Sequence, residues 1–228
     1  MKKFEKMFVP GALRAPETIT KSRTFCAAVN FDTPRELILS AYNTAPENQG
    51  SRPWCAAYSA TSYAENLLWR KRGYKTQLDP QPIYEYAKKI DGFDGDGTYL
   101  ECALKGLIAC GHFDGNVCKV RTFGGAQYGN ENGLVDYKYA IHRYGVCLVG
   151  MNIDDSWYSP KRGVISGGGT TLGGHAVTGV GYDEEGVLIL NSWGGDWGHE
   201  GFAYVPNEVF EREFMYGALL TRALDGLY

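Results

Sequence analysis

No stretch of this chain is apolar for long enough to cross a membrane, and no hydrophobic segment follows the N-terminal lysines. It therefore reads as neither membrane-embedded nor led by a secretory signal: either the protein stays inside the cell, with a cytoplasmic location expected, or a signal has been removed. Internal repeats, heptads and low-complexity tracts are absent, which excludes solenoid and coiled-coil architectures. Positive charge is not in excess: the net charge is −3, so no nucleic-acid partner is implied. Histidines number four, and the spacing of Cys102, Cys110, His112 and Cys118 fits no common zinc pattern. Those cysteines read as core residues, and no metal or cofactor is expected. His112, His142 and His199 read as surface or loop residues. The glycines at 167–169 and 173–174 lack the helix start and Lys-Ser/Thr of a phosphate loop, and read as close-approach points for the chain.

What is present is an ordinary globular composition with an uneven charge. Of 228 residues, 44% are hydrophobic and 21% charged, enough for one large domain or two lobes around one core. Lys2, Lys3, Lys6, Arg14, Lys21 and Arg23 stand against Glu5 and Glu17, a net of +4 in residues 1–23; with −3 overall, the remainder carries −7. Pro10, Gly11 and Pro16 break any periodicity there, so residues 1–25 read as an extended basic arm.

Beyond the arm, apolar residues recur at helical steps over 54–71 until Gly73. Thr98 and Glu101 match a capping box before the stripe Leu100, Ala103, Leu104, Leu107 and Ile108, with Gly111 as the stop. A third helix is expected over 134–144. Strands are expected at 146–151, 176–182, 187–190, 202–205 and within 215–221, with a turn at Asp183-Glu-Glu-Gly186. Helices early and strands late predict an α+β fold with segregated lobes, divided as 26–120 and 121–228.

Two segments carry the chemistry. The first is Gln49-Gly-Ser-Arg-Pro-Trp-Cys55; the second is Gly174-His175-Ala-Val, followed sixteen residues after the His by Asn191-Ser-Trp-Gly194. A thiol at a helix start is favoured as thiolate, and an imidazolium nearby favours it further. Cys55 and His175 are expected to rest as that ion pair, with Cys55 attacking an acyl carbon and His175 protonating the leaving amine. Asn191 would orient the imidazole, Trp193 would cover their hydrogen bond, and the Gln49 amide with the Cys55 N–H would hold the oxyanion.

At this point the sequence resembles the papain-like cysteine peptidases, from about residue 30 to the C-terminus. Gln49, Gly50, Cys55, Ala57 and Ser59 fill the nucleophile motif, Glu65 fits the first helix, and Gly194, Trp197, Gly198 and Gly201 continue the glycine-rich tail. The resemblance implies Cys55, His175 and Asn191 as catalytic residues and Gln49 as oxyanion donor. It also implies a helical left lobe, an antiparallel β-barrel-like right lobe and a cleft between them that takes a protein or peptide substrate. Gly97, Thr98, Tyr99 and Leu100 would form one side of the substrate site, with Val149, Gly173, Gly174 and Ala176 opposite.

The chain departs from the pattern in two places. Ala56 follows the nucleophile where Trp is common, and Arg52 replaces a half-cystine, which points to a bacterial or viral branch and a reducing compartment. Residues 1–25 read either as a short pro-segment, an intramolecular inhibitor, or as a tail. Two other functions stand beside the endopeptidase: an amidase, deamidase or peptide ligase using the same acyl-enzyme, and a catalytically silent peptide-binding module.

Overall fold

The computed structural model describes residues 10–13, 32–124 and 132–227. The charged residues of the basic arm and Cys26 lie outside these, so the charge-split argument is not addressed by the described residues.

Helix α1 (Cys55–Arg72) runs through the middle of the molecule. Its small side chains let it do so: Ala56, Ala57, Ala60 and Ala64 are buried, as is every residue from Cys55 to Leu68. It ends where Gly73 adopts φ 76°, a left-handed cap, after the cations Arg70, Lys71 and Arg72 that suit a helix C-terminus. Helix α2 (Pro80–Ile90) was not anticipated from the periodicity; Asp79 caps it by accepting from Gln81 N at 2.9 Å. Helix α3 (Leu100–Ala109) corrects the capping-box expectation. Its cap residue is Tyr99, with no side-chain bond, and Glu101 is buried. Tyr216 on the last strand serves instead: its hydroxyl accepts from Leu100 N at 2.9 Å and donates to Glu101 at 3.1 Å.

The second lobe is an antiparallel sheet. Its strands are β1 (Leu37–Ile38), β2 (Lys119–Gly124), β3 (Cys147–Asp154), β4 (Thr171–Tyr182), β5 (Gly186–Leu190), β6 (Phe202–Pro206) and β7 (Phe214–Thr221). Their order is β2-β7-β3-β4-β5-β6, with β1 paired to β4. The sheet is open, not closed into a barrel. Helix α4 (Gly133–Tyr144) packs on it through Tyr137, whose ring takes the place a Cβ at Gly179 would need and whose hydroxyl donates to Gly181 O. A short helix α5 (Asn207–Glu213) precedes β7. The expected turn at 183–186 forms, with Asp183 Oδ1 accepting from Glu185 N and Gly186 N.

Two side-chain ties lock α1 to the sheet. Ser59 and Thr178 hydroxyls lie 3.2 Å apart, and Tyr63 OH accepts from Leu220 N at 3.1 Å. Helix α1 carries the thiol and β4 the imidazole, so these ties fix the distance between lobes where chemistry would occur. The five described cysteines, 55, 102, 110, 118 and 147, are all free. No helix among the described residues is long and apolar enough to cross a membrane.

Candidate active site

Cys55 is the first residue of α1, and the backbone N–H of Ala176 reaches its sulfur from β4. The residue before Ala176 is His175, so the expected base stands on the strand that touches the sulfur of the expected nucleophile. His175 Nε2 lies 2.8 Å from Asn191 Oδ1. That oxygen also accepts from Ser192 N at 2.8 Å, so it is an acceptor and Nε2 carries the ring proton. Nδ1, buried and without a hydrogen-bond partner among the described residues, is left as the basic nitrogen. The Trp193 ring covers this pair, 4.9 Å from the imidazole between centroids, and Trp157 meets the imidazole edge-on at 6.2 Å.

Gln49 is tied to the same assembly from the other side. Its Oε1 accepts from Ser192 Oγ at 2.6 Å, its backbone N donates to Ser192 O at 2.8 Å, and its Nε2 donates to Arg52 O at 2.8 Å. Gly50 turns the chain here with φ 57°, a conformation that favours glycine. Ser192 thus couples the amide of Gln49 to Asn191, a link that the sequence motif alone did not single out.

A strand of the chain itself lies in the cleft. Thr98 N donates to Gly11 O at 2.9 Å, Leu13 N to Thr98 O at 3.1 Å, and Ala12 N to Gly174 O at 2.9 Å. Ala12 pairs with Thr98 as a parallel bridge. Residues 10–13 therefore bridge both lobes directly over the thiol. Glycines make this close approach possible: a Cβ at Gly97 would overlap Gly11 O, one at Gly174 would overlap Ala12 O, and one at Gly11 would overlap Pro53 O. Gly173 sits beside Pro10.

Cys55 and His175 are fully buried beneath this strand. Burial pushes the Cys55 thiol up to about 11, although backbone amides of Ala176, Gly11 and Ala56 and its own N–H favour the thiolate. Burial likewise pulls His175 down to about 4, against the opposing bond to Asn191. Desolvation thus opposes the expected thiolate–imidazolium pair, while the helix start and the backbone donors favour the thiolate.

The expected substrate walls are only partly assembled. Gly97, Thr98, Gly173, Gly174 and Ala176 border the cleft strand or the thiol. Tyr99 is half-buried and Leu100 fully buried behind them. Val149 pairs with Val177; its neighbour Gly150, paired with Ala176, faces Leu100 and Tyr216, with Leu100 Cδ1 3.6 Å from where a Cβ would stand. Met215 takes the opposing position, its Cε 3.4 Å from a Cβ placed at Gly174.

Beneath the Gln49 loop lies a carboxylate cluster. Glu47 O accepts from Gly194 N at 2.9 Å, and Asn48 pairs with Trp193. The Glu47 side chain accepts from Thr61 at 3.2 Å; Glu65 accepts from Thr44 and from Leu78 N. Burial, then the Glu65 charge and more weakly Asp79, raise Glu47 from 4.5 to about 7, against the Thr61 bond. Between those values the folded chain keeps a proton that the unfolded chain has released, so stability falls as pH rises through this window. Glu47→Gln is expected to stabilise the protein by about 1–2 kcal/mol at pH 8, a figure reduced for solvent screening, and by little at pH 5. Urea unfolding midpoints of both proteins at the two pH values check this.

The fold is two-lobed α+β, and it places a thiol, an imidazole and a carboxamide at the lobe boundary. The family model described as "Papain family cysteine protease" matches residues 79–213, and the chain belongs to that family. The matched span includes His175 and Asn191 and begins after Cys55. Caricain of Carica papaya is 28% identical over 176 residues, covering 68% of this chain and 50% of the relative. Stem bromelain of Ananas comosus is 25% identical over 205 residues, covering 81% and 91%. The chain thus spans about half the length of caricain and nearly all of the bromelain. Among solved structures, xylellain, a cysteine protease from Xylella fastidiosa, superposes with TM-score 0.73 at 17% identity, covering 96% of this chain and 98% of that one.

Proposed function

We propose that this chain is a cysteine peptidase that hydrolyses peptide bonds through an acyl-enzyme on Cys55, and that residues 10–13 act as its intramolecular inhibitor. The observation that carries the reading is the peptide backbone of residues 10–13, hydrogen-bonded to Thr98 and Gly174 directly above the Cys55 sulfur. A site that holds its own chain this way has the shape and the hydrogen-bonding groups to hold a foreign one.

In the mechanism, the arm leaves and water re-enters, which removes the desolvation that disfavours the charged forms of both groups. The thiol proton passes to His175 Nδ1. The thiolate attacks the substrate carbonyl carbon, and the Gln49 amide with the Cys55 N–H stabilises the oxyanion. His175 gives its proton to the leaving amine, then takes one from the water that hydrolyses the thioester. Asn191 keeps the ring oriented, and Trp193 shields that bond from water. The arm is a short pro-segment in this scheme. Arg52 in place of a half-cystine supports a bacterial or viral branch of the family, and the free cysteines agree with a reducing compartment.

Labelling with an epoxysuccinyl peptide inhibitor tests the reading. After the arm is displaced, stoichiometric modification at Cys55 together with cleavage of peptide-library substrates is expected. Modification without cleavage would favour a silent binding module, and acyl transfer to amines in place of water a ligase. Asn191→Ala retains both the thiol and the base, and is expected to lower kcat/KM by roughly 10- to 100-fold, in contrast to loss of the nucleophile.

A further inference from the structure

The strand that pairs with residues 10–13 is an unpromising piece of chain to build a binding edge from. Residues 91–97 read Asp-Gly-Phe-Asp-Gly-Asp-Gly, with three glycines and three acids in seven residues. Such a sequence has high conformational entropy and repels itself electrostatically. None of the five described cysteines is bonded, so no disulfide among them staples it. Yet Thr98 at its end presents N–H and C=O in register to a peptide backbone.

One side chain gathers the loop. Lys88, in the last turn of α2, directs its ammonium to Phe93 O at 2.8 Å, Gly95 O at 2.7 Å and Gly97 O at 3.1 Å. It also meets Asp91 Oδ2 at 2.8 Å, and the Asp91 side chain is fully buried. The ammonium lies 5.3 Å from the Phe93 ring centroid. Three N–H groups thus serve four oxygens from alternate residues, folding the loop around one charge. Tyr84, one turn earlier on α2, donates to Asp96 O at 2.8 Å and stacks on Trp54, the residue before the nucleophile, at 4.5 Å. The cleft edge is thereby referenced to the thiol through α2.

We propose that Lys88 is the positioning residue of the peptide-binding edge: its ammonium, holding the carbonyls of Phe93, Gly95 and Gly97, sets the strand on which Thr98 pairs with substrate or with the arm. This rests on the peptidase reading only for its substrate half. Neutralising Lys88 frees the loop, and weakens backbone pairing without touching Cys55 or His175. A lysine that merely caps α2 would loosen the helix instead.

Two measurements decide it, using full chains. Hydrogen–deuterium exchange compares the wild type with Lys88→Met and Lys88→Arg. Lys88→Met is expected to speed exchange at Phe93 and Thr98, whose N–H groups donate to Asp91 and Gly11, by about tenfold or more, with α2 and β5 unchanged, and Lys88→Arg to restore most of the protection. In a Gly11→Val background, where the arm is unseated, Lys88→Met is expected to raise KM for a peptide about tenfold while kcat falls less than about threefold. Unaltered exchange at 93 and 98, exchange that rises across α2 and β5 alike, or losses confined to kcat would each overturn the proposal. Exchange needs no catalysis, so absence of peptide cleavage by the Gly11→Val chain would count against the peptidase reading and leave the exchange result to decide the role of Lys88.

Discussion

Cys55→Ala is expected to lower kcat/KM for peptide hydrolysis by on the order of 10⁴-fold or more, because the proposed acyl-enzyme forms on its thiol. His175 would remain on Asn191, and the Gln49 amide would remain in place, but both act on a bond that the thiolate must first attack. The substitution removes one buried sulfur from a helix already lined with Ala56, Ala57 and Ala60, so the fold is expected to survive. Circular dichroism and the unfolding midpoint check that survival beside the rate. The same variant tests the origin of any arm cleavage. If the chain processes itself, incubated wild type loses mass at its N-terminus and Cys55→Ala does not. Equal intact masses would exclude self-processing while leaving inhibition by residues 10–13 untouched. A Cys55 variant retaining full hydrolysis would overturn the mechanism.

Local chemistry explains what was legible in the chain and what was not. The helix at 55–72 announces itself through alanines and leucines at helical steps and a terminal glycine, and the 183–186 turn through its aspartate. Helix α2 lacks so clear an apolar signal, and its first turn holds Pro80 and Pro82, although Asp79-Pro80 is a good helix start. The Thr98–Glu101 pair has capping-box spacing, but tertiary contacts overrule it. Thr98 is committed to a backbone pairing with the cleft strand, and Tyr216, far away in sequence, caps the helix. The resemblance placed Val149 opposite the Gly97–Leu100 wall, and in the sheet it is the neighbouring Gly150 that faces Leu100. In the site, residue types and order made Cys55, His175, Asn191 and Gln49 candidates before any geometry. Their ionisation was not legible, because helix position favours a thiolate and only the fold reveals the desolvation that opposes it. Lys88 has no motif at all, and its role exists only in the loop it gathers.

Gly11→Val is expected to raise the rate of Cys55 alkylation by iodoacetamide at pH 7 by at least about a hundredfold, and to turn on peptide cleavage in the full-length chain. A side chain at this position would overlap Pro53 O, which belongs to the backbone leading into the nucleophile helix and has little room to yield. The arm's seat comprises three backbone hydrogen bonds, from Ala12 to Gly174, Thr98 to Gly11 and Leu13 to Thr98. At about 0.5–1.5 kcal/mol each, their loss with the burial of Ala12 amounts to roughly 2–5 kcal/mol, enough to change an opening equilibrium by about 30- to several thousand-fold. Accessibility is only part of the gain. Burial pushes the covered thiol up to about 11, which disfavours the thiolate. Uncovering it restores water around the sulfur, and leaves the helix start and His175 to favour the thiolate. The pH profile separates the two contributions: alkylation of the wild type should climb toward alkaline pH, whereas Gly11→Val should already react rapidly below pH 7. Gly11→Ala, with the same Cβ overlap and less bulk, should fall between them or match the valine. Labelling rates for both variants equal to the wild type across this range would mean that residues 10–13 do not guard the thiol, and the zymogen half of the proposed function would fall while the acyl-transfer half stood.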